Sequence, residues 1–176
     1  MSKLILYIAC SLDGYIADAE GGISFLDDTP SPQPDLGYEA FYNSVDTLIM
    51  GGTTYRQVVN DLSPGNWPYM GKKSFIYTRQ PLDKRGGIEA TDLPPAQLLR
   101  QIRQTSKGDI WLVGGGEIVR LFMSDKLIDQ YFIYFMPVLL GDGIPLFPEG
   151  FPRADLKLES MQKIGEIAEL VYSKRP

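Results

Sequence analysis

Two apolar runs in this sequence end directly in glycine and continue as amphipathic stretches: LIMGGTTY (48–55) and WLVGGGEI (111–118). Each apolar run reads as a buried strand, and the stretches that follow place apolar residues at helical spacing. A strand–glycine–helix corner leaves backbone N–H groups unpaired. It also puts the positive end of a helix dipole at the C-terminal edge of the sheet, where anionic ligands bind in α/β folds. One such corner is no more than a turn. Two of them in a chain of 176 residues suit a ligand with two ends, such as a dinucleotide. Three consecutive glycines exceed what a turn needs and raise the entropic cost of ordering the chain. Either the turn is merely permissive, or something large lies against bare backbone there.

The rest of the chain fits the same alternation. KLILYIACS (3–11) reads as a buried strand closed by Asp13-Gly14. A loop rich in Gly, Asp and Pro then runs to about residue 35. Tyr38, Phe41, Tyr42 and Val45 fall at i, i+3, i+4 and i+7, which predicts a short helix. Strands are predicted at 46–50, 73–78, 109–113 and 127–139, and helices over 51–62, 92–108 and 116–123. The loop GDGIPLFPEGFP (141–152) precedes a tail, 157–174, that reads as two strands joined near Gly165-Glu166. The expectation is one α/β domain over 1–176. Its sheet would be mixed and mostly parallel, with helices on both faces and a C-terminal antiparallel hairpin.

Composition excludes several classes of function. Net charge is −5, so the molecule as a whole is not a basic nucleic-acid binder. Charge is uneven: residues 71–107 hold eight basic residues against three acidic, which suits an anionic small ligand or a solvated face. The sequence contains no histidine, so Ser-His and Cys-His catalysis and the usual zinc hydrolase sites are ruled out, and no metal site is expected. The one cysteine, Cys10, lies in an apolar run and reads as a buried, inert thiol. No run is long enough to span a bilayer and MSKLILYIAC lacks a cleavage site, which points to the cytoplasm. Neither corner is G-x-G-x-x-G. GNWPYMGKK misses a P-loop, because its glycines are one residue too far apart and Lys73 stands where Ser or Thr holds magnesium.

Five motifs in order, SLDGYIA (11–17), LIMGGTTY (48–55), IYTR (76–79), VGGGEI (113–118) and PVLLGDGIPLF (137–147), carry a family resemblance over nearly the whole chain. Together they resemble the dihydrofolate-reductase-like fold, and more narrowly the C-terminal reductase domain of RibD in a free-standing form. The resemblance implies NADPH across the C-terminal edge of the sheet. Gly51, Gly52, Thr53 and Thr54 would hold the phosphates nearest the adenosine, and Thr78 and Arg79 the ribose 2′-phosphate; Arg79 read without the resemblance is equally an exposed loop residue. Val113, Gly114, Gly115, Gly116, Glu117 and Ile118 would cradle the pyrophosphate and nicotinamide half, with a cis peptide between the first two glycines. In that picture the third glycine lets the helix N-terminus approach the phosphate. Ala9 and Ile16 would fix the nicotinamide face, with Ser11–Gly14 forming a loop over it. The first corner reads Gly-Gly where many dihydrofolate reductases have Gly-Arg, so one phosphate-binding arginine is missing. The deaminase signatures of RibD, H-x-E and P-C-x-x-C, are absent.

The resemblance further implies a hydride transfer from NADPH to a small pyrimidine- or pterin-like imine or carbonyl, as in 5-amino-6-(5-phosphoribosylamino)uracil reductase. A dihydrofolate reductase and a non-catalytic NADPH-binding protein are the alternatives. For the proton, Asp35 falls at the spacing of the acidic residue on the first helix of dihydrofolate reductases, with Glu39 one turn later; both are equally solvated carboxylates at a helix start. Asp13 reads as a turn residue. A terminal hairpin leaves a strand edge to be covered, and with the resemblance this implies a homodimer.

Overall fold

The structure, a computed structural model, describes residues 1–29, 36–82 and 86–175. Strand β1 (Leu4–Ser11) is apolar without alternation because both of its faces are covered. Leu4 and Leu6 turn into one core while Ile5 turns into the other. The remaining strands are β2 (Tyr15–Ala17), β3 (Val45–Gly51), β4 (Lys73–Tyr77), β5 (Ile88–Thr91), β6 (Asp109–Gly114), β7 (Gln130–Met136), β8 (Ile144–Pro145), β9 (Leu156–Ile164) and β10 (Ile167–Lys174). Eight of them form one sheet in the order β5-β4-β3-β6-β1-β7-β10-β9, and β2 pairs separately with β8. From β5 to β7 neighbouring strands are parallel; β10 runs antiparallel to both β7 and β9.

Among the described residues four α-helices cover the sheet: α1 (Tyr38–Ser44), α2 (Gly52–Gln57), α3 (Pro95–Thr105) and α4 (Gly116–Ser124). On one face Leu98, Leu99 and Ile102 of α3 and Val119 and Phe122 of α4 pack on Leu4, Leu6, Ile110 and Leu112. On the other, Phe41 of α1 and Tyr55 of α2 pack on Leu48, Met50, Ile76 and Trp111. The mostly parallel sheet, the helices on both faces and the C-terminal hairpin follow the expected plan.

Three boundaries differ from the sequence expectation, each for a local reason. The helix expected over 92–108 occupies Pro95–Thr105, with Pro95 at its first turn where a missing N–H costs nothing. Its last expected residues, 106–108, bond instead to Asp46. The helix expected over 51–62 is α-helical only to Gln57 and continues as a π-helical turn over Val58–Leu62. The long strand expected over 127–139 shortens to 130–136. Asp129 accepts bonds from Leu4 N–H, Arg103 and Lys174, and Pro137 has no N–H to give the ladder.

Candidate functional site

The topology sets the two glycine corners side by side. β3 and β6 are parallel neighbours, with Met50 in register with Gly114, so both chains leave the sheet at the same point on its C-terminal edge. A side-chain bond joins the corners: Gly115 N–H donates to Thr54 Oγ1 at 2.9 Å. The Gly114–Gly115 peptide is cis, as the resemblance implied. Helix α4 starts at Gly116, so the N–H groups of Gly116 and Glu117 lie in the first turn, where no intrahelical acceptor exists.

The three glycines are glycines for three different reasons. Gly114 adopts φ +117°, which L side chains rarely take. A Cβ on Gly115 would meet nothing closer than Thr54 Oγ1 at 3.6 Å and Ile16 Cδ1 at 3.8 Å, so the protein itself leaves room there. A Cβ on Gly116 would sit 2.5 Å from the Pro145 carbonyl oxygen and 3.1 Å from Pro148 Cγ. The third glycine therefore makes way for the loop around β8, a reason for glycine that the sequence reading did not include. The first corner is packed in a similar manner. A Cβ on Gly51 would come within 3.0 Å of Ile118 Cγ1, and one on Gly52 within 3.0 Å of the Thr78 side chain.

Beside the corners lies a cleft of about 930 Å³, in the size range of ligand sites. Of the expected cofactor residues, Ala9, Ile16, Thr53, Thr54, Val113, Gly115, Gly116, Glu117 and Ile118 line it. Gly51, Gly52, Gly114, Thr78 and Arg79 do not line it, and Arg79 is exposed. Glu39 is exposed on the first turn of α1 and does not line the cleft, whereas Asp35 falls outside the described residues.

Several lining residues were not expected from the sequence. Arg56 comes one turn after the first corner, donating to Thr53 Oγ1 and to Gln80 Oε1, both at 3.1 Å. It places a guanidinium at the corner whose second residue is glycine where an arginine was missed. Five aromatic residues also line the cleft: Tyr7, Tyr38, Tyr69, Trp111 and Tyr134. Tyr38 and Tyr69 approach Trp111 edge-on at 5.7 and 5.5 Å, and Tyr7 lies 5.0 Å from Tyr134. Strand period offered a signal for two of them. Tyr7 is two residues before Ala9 and Trp111 two before Val113, which puts each on the same face as its neighbour. Three of these phenols stay protonated: burial pushes Tyr69 up to about 12, with Tyr42 adding to it, and burial likewise raises Tyr38 and Tyr134. Tyr134 also donates to Glu169 Oε1 at 2.6 Å, and Tyr7 to the Leu36 carbonyl at 3.0 Å.

The segment after β1 is clamped rather than poised over the cleft, and Ser11–Gly14 do not line it. Asp13 accepts from Ser11 Oγ at 2.6 Å and from the amides of Gly141 and Leu140. Those bonds, Ser11's first, hold its carboxyl below the usual range against a smaller effect of burial. Asp13 is the turn residue it was read as, tying 11–14 to 138–141. Cys10 is fully buried, and burial, with Asp13 nearby, pushes its thiol up to about 12.

A mostly parallel sheet with glycine corners meeting beside a cleft at its C-terminal edge defines an α/β fold with its cleft where such folds bind ligands, and the sequence comparison is more specific. The RibD C-terminal domain family matches residues 70–169, and the chain belongs to that family. It is 37% identical to the uncharacterized protein YwjB of Bacillus subtilis (strain 168), over 97% of each chain. Among solved structures it resembles a protein of Shewanella sp. PV-4 assigned to riboflavin biosynthesis, with a TM-score of 0.88 and 27% identity over 99% of both chains. It also shares the fold of the diaminohydroxyphosphoribosylaminopyrimidine deaminase/5-amino-6-(5-phosphoribosylamino)uracil reductase of Thermotoga maritima, with a TM-score of 0.72 and 14% identity. That match covers 99% of this chain and 57% of the Thermotoga chain.

Proposed function

We propose that this protein is a cytoplasmic NADPH-dependent reductase that transfers a hydride to an imine or carbonyl carbon of a small pyrimidine- or pterin-like heterocycle. The observation that carries this reading is the joined pair of corners, with Gly115 bonded to Thr54 and the first turn of α4 beside the cleft. The residues suit a dinucleotide. Gly115 offers backbone without a Cβ, Arg56 offers a guanidinium, and the cleft volume is of the right order. On this reading Val113 to Ile118 hold the pyrophosphate and nicotinamide half. Gly51 to Thr54 and Arg56 hold the phosphates nearest the adenosine, and Thr78 and Arg79 the 2′-phosphate.

NADPH, when bound, supplies the hydride. The chain's own residues orient the nicotinamide against Ala9 and Ile16, and the apolar cleft wall keeps water out. Asp35, next to the cleft-lining Leu36, is the proposed proton donor, with Glu39 on α1 the second candidate. The active form is a homodimer joined through the β9 side of the sheet.

NADPH titration by fluorescence, followed by its oxidation in the presence of pterins and ribitylaminopyrimidines, tests the reading. The expected result is saturable NADPH binding and turnover with one of these classes. No NADPH binding ends the proposal, and binding without any turnover leaves a nucleotide-binding protein. Arg79→Ala should weaken NADPH by about one to two powers of ten, the worth of one charge-assisted contact, and spare NADH. Equal losses for both cofactors would take the 2′-phosphate away from Arg79. Asp35→Asn should lower turnover at unchanged NADPH affinity; unchanged turnover removes Asp35 from the chemistry.

A further inference from the structure

The described lining of the cleft is poor in cations and rich in aromatic rings. Among the described lining residues Arg56 is the one cation, against the carboxylates of Glu20, Asp61 and Glu117, a formal balance of 1 − 3 = −2. Glu117 is partly answered by Arg120, 2.9 Å away, whereas Glu20 and Asp61 are exposed on the rim. Arg56 stands at the first corner, bonded to Thr53, so a dinucleotide bound there uses it. A second phosphate in the same cleft would find no further cation among the described lining residues, while Glu20 and Asp61 add negative potential at the rim, and an unpaired anion in a partly desolvated site is costly. The same cleft also offers aromatic rings. Tyr38 and Tyr69 lie 5.7 and 5.5 Å from Trp111, and aromatic side chains bind flat heterocycles by stacking. Burial keeps Tyr38 and Tyr69 protonated, so these walls carry no charge at any working pH.

We infer that the substrate of this cleft is a flat, uncharged heterocycle bearing no phosphate, held by stacking against Tyr38, Tyr69 and Trp111. The inference rests on the reductase reading for the assignment of Arg56 to the cofactor, and it departs from a phosphoribosylated substrate. Specificity here comes as much from what Glu20 and Asp61 repel as from what the rings attract.

The test is calorimetric titration of the whole chain with a ribitylaminopyrimidine and with its phosphate ester, each with and without NADPH. The phosphate-free compound should bind at least ten-fold more tightly in both conditions. An ester that binds as well or better, or failure of both compounds to bind, overturns the inference. In the Glu20→Lys/Asp61→Lys variant, both changes being on exposed positions, the preference should narrow about ten-fold; an unchanged preference removes its electrostatic basis. Tyr69→Leu should weaken the phosphate-free ring at least ten-fold while NADPH affinity holds, and unchanged ring affinity is contrary to stacking. Separate titration of NADPH keeps the outcomes apart. Ring binding without NADPH binding sinks the reductase reading and leaves the pocket assignment standing.

Discussion

At the scale of single residues, the three glycines at 114–116 show how one letter serves three purposes. Gly114 answers a backbone conformation, Gly116 answers a carbonyl on a distant loop, and Gly115 answers nothing within the protein. The last is the one with space reserved beside it. Gly115→Ala should therefore keep its unfolding free energy within about 1 kcal/mol of the parent, since the new Cβ makes only ordinary contacts. Its NADPH affinity should fall at least ten-fold, because the methyl projects between Thr54 and Ile16. Gly116→Ala should in contrast destabilise the fold, costing roughly 1–3 kcal/mol through overpacking against Pro145. Denaturant midpoints and NADPH titrations of both variants separate the roles, and tight NADPH binding by Gly115→Ala would reduce that glycine to a turn residue. The sequence marks this corner but cannot divide its glycines, because the atoms that divide them belong to residues 145 and 148. Arg56 escaped notice for a related reason. Its place at the first corner follows from helical spacing to Thr53 and from Gln80, 24 residues away.

At the scale of elements, legibility tracked length and burial. β3 and β6 could be read to within a residue or so because each is an apolar run almost wholly buried, and β4 because Ser74 and Ile76 are buried while Phe75 and Tyr77 are half-buried opposite them. β5 and β8 could not: Ile88–Thr91 is half polar, and Ile144–Pro145 is two exposed residues paired only with β2. The end of α3 was misjudged because Gly108 reads as a helix stop, while the actual stop is a side chain on another element. Asp46, at the start of β3, accepts from Ser106 Oγ, Lys107 N–H and Gly108 N–H at 2.6–2.8 Å. Burial alone would raise its carboxyl. The bonds from Ser106, Gly108, Lys107 and Thr47 outweigh that and hold it at about 2. A folded-state value below the ordinary one means the stabilisation is complete above about pH 4 and is lost as pH falls towards 2. Asp46→Asn should thus cost about 1–2 kcal/mol near neutrality, and the gap to the parent should close on acidification through that window. A gap that is the same at both ends of the window would show that charge at Asp46 contributes nothing.

At the scale of the whole molecule, the sheet ends in two unlike edges. β5 is short, but β9 is nine residues long and leaves Leu158 and Met161 47% and 75% exposed. A long edge bearing apolar side chains invites pairing with another chain, which supports the proposed dimer. Sedimentation should give twice the chain mass of 19.7 kDa, and Leu158→Lys/Met161→Lys should return it to the chain mass. A parent protein that sediments as a monomer removes the dimer. The middle of the sheet carries a different consequence. β1 has β6 and β7 as its two neighbours, so Leu4 finds its first partner at Ile110. At about 5–20 residues per second of synthesis, the gap of 106 residues takes on the order of 5–20 s to cross. Throughout that interval the most apolar strand of the protein is outside the ribosome with neither neighbour yet made. How much chain reaches the finished sheet in a cell then depends on what shelters β1 during translation as well as on the stability of the sheet.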